Sequence, residues 1–307
     1  MASGIISHIP TCLQPVLGRM ICVPIRLLEI RTMRKLKPML GKRLLQMRAE
    51  SPDEPQDRLQ LMLRYAAAHE PQELNAKDMT GRLITANFGA MHQTSYAVSN
   101  AILNILSSDA EFDTIRVLRQ EINIVMQRHR GRWTRTSIAQ MTHTDSAIRE
   151  TLRLHGFTAR LVRVVTAKDG IITEDGVHVP YGSCVSILQR APHLDESKFA
   201  RPKLFDPFRF SRDAHSTSSD ASGAGPQSFV TFSSTNLPFG SGKHACPGRF
   251  LVDFEIKMIL AYLLINYDLK LATEHNGLRP PSPQRTEATF PPTSAKFSFK
   301  RRGAPAR

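Results

Sequence analysis

Cys246 stands in the run Pro238-Phe239-Gly240-Ser241-Gly242-Lys243-His244-Ala245-Cys246-Pro247-Gly248. No other stretch of the sequence is better suited to chemistry. Gly240 and Gly242 allow a tight turn and a close approach of backbone to a flat ligand. Pro247 is placed to open a helix, where its missing N–H is no loss. The segment Arg249 to Tyr267 is apolar and periodic, so a helix there is expected. A cysteine at a helix N-terminus lies among unpaired N–H groups and the positive end of the helix dipole. Both favour thiolate over thiol. A thiolate held in this way is a metal ligand or a nucleophile.

A second set of residues looks structural. Glu150 and Arg153 are three apart and share one helix face. As an isolated surface pair they would contribute only a few tenths of a kcal/mol. Further on, Phe205-Asp206-Pro207-Phe208-Arg209-Phe210 places another arginine between aromatics. A glutamate bridging both arginines would lock that irregular segment onto the helix. A buried network of this kind is costly unless complete. The other histidines, among them His8, His69, His129, His215 and His275, have no metal-ligand spacing.

These residues need elements to hold them. Residues 5–30 are apolar but broken by prolines. A basic helix is predicted over 27–49, with a break at Ser51-Pro52-Asp53-Glu54-Pro55 and a short helix from Arg58 to His69. Asn75 to Ser108 carries the longest helical pattern and is apolar nearly all round, which predicts a buried central helix. Gly89 lies in its middle, where glycine costs about 1 kcal/mol relative to alanine. A distortion or the close approach of a ligand is expected there. Phe112 to Arg128 and two stretches within Trp133 to Leu154 are helical. From Ala159 to Ile187 the pattern turns to strands around a Lys168-Asp169-Gly170 turn. Ser216 to Gln227 is Ser/Gly-rich and reads as an insertion, and Ala295 to Phe299 as a terminal strand. The fold class expected is mainly α with a small β portion.

With 307 residues and 41% hydrophobic content the chain can bury a full core. Four cysteines (Cys12, Cys22, Cys184 and Cys246) include no CxxC pair, which argues against a disulfide framework or a zinc cluster. The net charge is +14, and basic residues crowd the region from Arg19 to Arg48. A solvated helix face explains them most simply. An anionic membrane surface or an acidic protein partner would also suit them. Nucleic acid is excluded as a partner, because only 7% of residues are aromatic and no recognition motif is present. No segment qualifies as a membrane span or a tripartite signal peptide, so the chain by itself reads as soluble or peripheral.

The order ExxR (Glu150, Arg153), Pro-Phe-Arg-Phe (Arg209), then Phe239-x-x-Gly242-x-x-x-Cys246-x-Gly248 resembles the cytochrome P450 haem-thiolate monooxygenases. The resemblance runs from about Leu27 to Arg301. The wording His-Ala-Cys-Pro-Gly-Arg-Phe, with Phe290-Pro291-Pro292, is similar to fungal members that oxidise terpenoids and other secondary metabolites. It implies haem b as cofactor, with Cys246 as axial ligand of its iron. Thiolate ligation favours O–O cleavage. Phe239 and Gly240 would pack beside the sulfur, and backbone N–H groups after Cys246, near Gly248, would tune it. His244 and Arg163 stand where the family holds propionates; their plain readings are a surface histidine and a cross-strand charge. Glu150, Arg153 and Arg209 would form the structural triad. On the central helix, His92, Gln93 and Thr94 occupy the positions for proton delivery. Gln93 replaces the usual threonine, while His92 and Thr94 both donate and accept. His92 reads equally well as a satisfied core histidine. Phe157 to Leu161 and the Phe290 region would line an apolar substrate pocket.

The resemblance also implies a single P450 domain over 1–307 that lacks its N-terminal part. Within it are a basic helical region (1–75), the central distal helix through the ExxR helix (76–154), and the β portion, thiolate loop, last helix and C-terminal strands (155–307). The partners implied are an NADPH-cytochrome P450 reductase, docked through basic residues such as Lys243 and Arg249, and an apolar small molecule, with peripheral contact to the cytosolic face of the endoplasmic reticulum membrane. The alternative is a truncated, non-catalytic remnant that binds haem weakly or not at all. It is motivated by Gln93 and by the missing N-terminal helices.

Overall fold

The computed structural model describes residues 10, 14–49, 54–216, 228–233, 236–285 and 288–303. Of the Ser/Gly-rich run predicted as an insertion, residues 217–227 lie outside the described residues. The fold is mainly helical, with antiparallel two-stranded ribbons. The chain divides into two units, residues 1–91 and residues 92–307.

In the first unit, helix α1 (Gln14–Arg48) runs unbroken through Pro24 and Pro38. Pro24 was expected to punctuate residues 5–30, whereas Pro38 lies within the helix predicted over 27–49. An interior proline removes one backbone hydrogen bond, and the flanking turns of a helix this long keep theirs. Packing secures the second half. Leu36, Leu40, Leu44 and Met47 share a face and meet Leu59, Leu63 and Ala66 of α2 (Arg58–His69) and Met79. Asp57 caps α2 by accepting the Gln60 N–H at 3.0 Å, and Arg43 Nη2 donates to its other oxygen at 2.6 Å. The cap thereby also ties α1 to α2.

Helix α3 (Ala76–Phe112) starts in the first unit and ends in the second. The sequence predicts burial along its whole length, but the structure confines most of it to the later turns. Residues 100–106 are buried, whereas Ile84, Phe88 and Met91 are exposed. Apolar composition permits burial; neighbouring elements decide it. The helix passes through Gly89 without a break, and a Cβ there would meet open space.

In the second unit, α4 (Thr114–Arg128), α5 (Arg135–Ala139), α6 (Thr142–His155) and α9 (Arg249–Asn266) enclose the main core. That core includes Ile102, Ile105, Leu118, Ile122, Ile148, Ile256 and Leu260. Two further helices, α7 (Arg190–His193) and α8 (Arg209–Ser216), lie between. Strand β1 (Arg160–Val164) pairs with β4 (Cys184–Leu188), with Val162 opposite Ser186. Strands β2 (Ile171–Ile172) and β3 (His178–Val179) form a hairpin whose turn is closed by the Gly176 N–H on the Thr173 carbonyl at 2.9 Å, while the turn expected at Lys168-Asp169-Gly170 lies just before β2, with Gly170 at φ +75°. Strand β5 (Tyr267–Leu271) pairs with β8 (Phe297–Arg301), and β6 (Gln284–Arg285) with β7 (Ala288–Thr289).

Candidate active site

Helix α6 presents Glu150 and Arg153 one turn apart, and both side chains are buried. Arg153 grips Glu150 in bidentate fashion: Nε donates to Oε2 and Nη2 to Oε1, each at 2.7 Å. Arg209 Nε donates to the same Oε1 at 3.2 Å, and the Asp206 backbone N–H at 3.3 Å. The remaining donors of Arg209 go to the carbonyls of Ala200 and Leu204. Phe199 lies under the Arg153 guanidinium, 4.8 Å from its centroid. Two cations, one carboxylate and a full set of acceptors meet the completeness that a buried ion network requires.

The network continues towards the cysteine. Arg153 Nη1 donates to the carbonyl of His193. The imidazole Nε2 of His193 accepts the Leu237 N–H at 3.1 Å. Burial, reinforced by the Arg153 charge, pushes His193 down to about 4, so it is neutral and able to accept. Gln189 donates its amide to the Leu237 carbonyl. The turn beyond Leu237 is closed by Gly240 N–H to Leu237 O at 3.0 Å and Ala245 N–H to Gly242 O at 3.0 Å. Gly240 and Gly242 have φ of +69° and +64°, which is where side-chain-bearing residues are strained. The Cys246 N–H returns to Phe239 O at 2.8 Å. Arg249, at the start of α9, donates to the Cys246 carbonyl at 2.8 Å. The cysteine loop is thus fastened at both ends.

A second route joins the same elements. Asp145 of α6 accepts the Phe229 N–H at 2.8 Å and the Ser228 hydroxyl at 3.2 Å. The ring of Phe229 lies 5.9 Å from that of Phe239. Lys257 of α9, almost wholly buried, reaches Asp145 at 2.6 Å and Asp253 at 2.7 Å. Sequence reasoning passed over His193, Gln189 and Lys257. Lys257 alone had a local signal: a charge at helical spacing from the apolar Leu260 and Leu264, with Asp253 one turn before it.

Comparison with known proteins decides the family. A cytochrome P450 family model matches residues 12–299. The chain belongs to the cytochrome P450 family. It is 44% identical to cytochrome P450 monooxygenase pbrC of Penicillium brasilianum and 42% identical to cytochrome P450 monooxygenase astC of Aspergillus terreus. Each match covers 98% of this chain and 58% of the relative. A further relative, cytochrome P450 monooxygenase tenB of Beauveria bassiana, is 44% identical over 82% of this chain and 48% of its own length. The chain therefore spans about half the length of these fungal relatives. Cytochromes P450 hold a haem iron and take electrons from a redox partner.

The residues present fit a thiolate-ligated haem. Cys246 is a free, half-buried thiol. Among the described residues no group of three or more His, Cys, Asp or Glu gathers to hold a metal ion, and the loop itself brings the sulfur of Cys246. A single protein donor suits a metal whose other ligands come from a macrocycle. Gly248 caps α9, and a Cβ there would stand 3.9 Å from the Cys246 sulfur, an ordinary contact. Strand β1 meets the loop, since a Cβ on Gly240 would lie 3.7 Å from Leu161 Cδ1. Arg163, two residues along β1, is exposed and donates to the Val162 carbonyl at 2.9 Å; His244 is also exposed. On α3, His92 and Gln93 are exposed and Thr94 is half-buried. One turn beyond His92, Tyr96 joins Phe157 and Phe290 in a three-ring cluster with centroids 5.5–5.8 Å apart. Lys243 is exposed, whereas Arg249 is committed to the Cys246 carbonyl and stacks 4.3 Å over Phe250.

Proposed function

We propose that the chain carries the haem-thiolate centre of a monooxygenase that oxidises an apolar small molecule, a terpenoid or another fungal secondary metabolite, with NADPH-derived electrons delivered by a reductase. The observation that carries this reading is the fastening of the Cys246 loop. Its turn is made by two positive-φ glycines, and it is bonded at Leu237, Phe239 and Arg249. When bound, haem supplies the activation of O2. Cys246 Sγ would hold the haem iron in this reading. Phe239, held against Phe229, would pack beside the sulfur. Arg163 would offer its guanidinium, and His244 a ring N–H, to the propionates. His92 and Thr94 hold and pass a proton at imidazole nitrogen and hydroxyl oxygen, while Gln93 offers an amide at the position between them. The rings of Tyr96, Phe157 and Phe290 give an apolar, flat-walled surface suited to a hydrocarbon substrate.

Lys243 is exposed beside the loop, which suits docking of an acidic electron donor. Exposed Met20, Val23, Leu27 and Leu28 interleave with Arg19 and Arg26 on α1, which suits peripheral contact with the endoplasmic reticulum membrane. No helix among the described residues is long and apolar enough to cross a membrane.

The test is the reduced, CO-bound absorption spectrum of the purified, haem-loaded chain. A thiolate-type Soret band is expected, and Cys246→Ala should abolish it. A free-haem spectrum for the parent chain overturns the reading in favour of a non-catalytic remnant.

A further inference from the structure

Leu237 is the last residue before the Pro238-Phe239 entry to the cysteine loop, and both of its backbone polar groups are taken by side chains of a neighbouring segment. Gln189 and His193 are four residues apart around the short helix α7, so they face the same way. Gln189 donates to the Leu237 carbonyl, and His193 Nε2 accepts the Leu237 N–H at 3.1 Å. Both residues are buried, at 3% exposure each. Each is itself held: the Thr158 hydroxyl donates to Gln189 Oε1 at 2.6 Å, and Arg153 donates to the His193 carbonyl. A cavity of about 10 Å³, bordered by Arg153, Gln189, His193 and Pro238, leaves room for no more than a single water beside the contact. The contact is therefore closely packed.

We propose that Gln189 and His193 are positioning residues for Cys246: together they clamp Leu237 and carry the order of the buried Glu150–Arg153 pair to the sulfur-bearing loop. The path is continuous. Glu150 fixes Arg153, Arg153 fixes the His193 backbone, His193 fixes Leu237, and two residues on the Phe239 carbonyl receives the Cys246 N–H at 2.8 Å. Neutral imidazole is required, with the proton on Nδ1 and the lone pair of Nε2 towards Leu237. A glutamine at 193 can supply the same acceptor through Oε1; a leucine cannot. This role rests on the haem-thiolate reading for its consequence but not for its geometry.

The experiment compares the parent chain with His193→Leu, His193→Gln and Gln189→Met. The first readout needs no haem: the rate at which iodoacetamide alkylates Cys246, followed by peptide mapping. His193→Leu should raise that rate several-fold, Gln189→Met less, and His193→Gln should remain near the parent. The second readout is the thiolate-type band of the reduced, CO-bound, haem-loaded chains. It should shrink in the same order. Melting temperature is measured beside both. If His193→Leu melts lower yet keeps the parent's alkylation rate and band well below its transition, the residues only stabilise and the proposal falls. If His193→Leu fails to fold, Gln189→Met decides by the same two readouts. If the parent gives no thiolate-type band, the haem-thiolate reading fails while the alkylation rates still judge the clamp.

Discussion

Lys257 carries a full charge on the apolar stripe of α9, at 1% exposure, yet it is among the best-secured residues of the chain. Asp145 and Asp253 flank its ammonium, and the Phe229 ring lies 5.6 Å away. Burial alone would lower its pKa, but the two carboxylates outweigh burial and hold it above the usual lysine range. Replacing a buried ion network by apolar residues can be neutral, whereas removing one member leaves an uncompensated charge. Lys257→Met would leave Asp145 and Asp253 facing each other. We expect a loss of about 3–5 kcal/mol in urea unfolding, with Lys257→Arg recovering part of it. An unchanged urea midpoint for Lys257→Met would refute this. Glu150 and Arg153 were legible at this scale because their spacing on one helix is local. His193 was not, because its partner Leu237 is 44 residues away and nothing about either residue type advertises the bond.

Helix α4 acts as a brace at the scale of elements. Helix α6, which bears Glu150 and Arg153, begins after Met141, a residue with no capping side chain. Its free N–H groups are met by Glu121 of α4. The carboxylate accepts from the N–H groups of His143 (2.6 Å) and Thr144 (2.9 Å) and from the Thr144 hydroxyl (2.7 Å). A carboxylate at a helix N-terminus also meets the positive end of the dipole. At the other end of the core, Arg119 of α4 donates to the carbonyls of Leu264 and Tyr267 and to Asp268, closing the C-terminus of α9. Glu121→Ala should cost about 2 kcal/mol, the scale of hydrogen bonds to a charged group. Hydrogen exchange should speed up first at the N-terminal amides of α6; uniform exchange across the chain would contradict this. Helix α2, expected from Arg58 to His69, was readable at both ends. Strand β5 was not. Tyr267-Asp268-Leu269-Lys270-Leu271 alternates, but it follows an apolar helix directly, and only pairing with β8, about thirty residues on, makes it a strand.

For the whole molecule, two histidines, the buried His193 and the half-buried His155, set the acid limit. Burial, with help from the charges of Arg279, Arg190 and Arg153, pushes His155 down to about 3, and His193 is held at about 4. An unfolded histidine titrates near 6.5. Between the folded and unfolded values the unfolded chain binds more protons, so stability falls as pH drops from 6.5 to about 4 and is recovered as pH rises. Each histidine contributes at most about 1.4 kcal/mol per pH unit. The urea midpoint should decline across that window, and His193→Gln should flatten the slope; a flat parent profile would overturn the assignment. The sequence by itself determined the family motifs, their order, the mainly helical class and the turn at Gly240 and Gly242, because each depends on residue types a few positions apart. Tertiary structure alone decided which part of α3 is buried, how α6 and α9 are capped, and that Glu150, Arg153, His193 and Leu237 form one path to the Cys246 loop. The physical reason is that burial and hydrogen-bond partnership belong to pairs of segments. A sequence states what each segment can offer, and only packing determines what it meets.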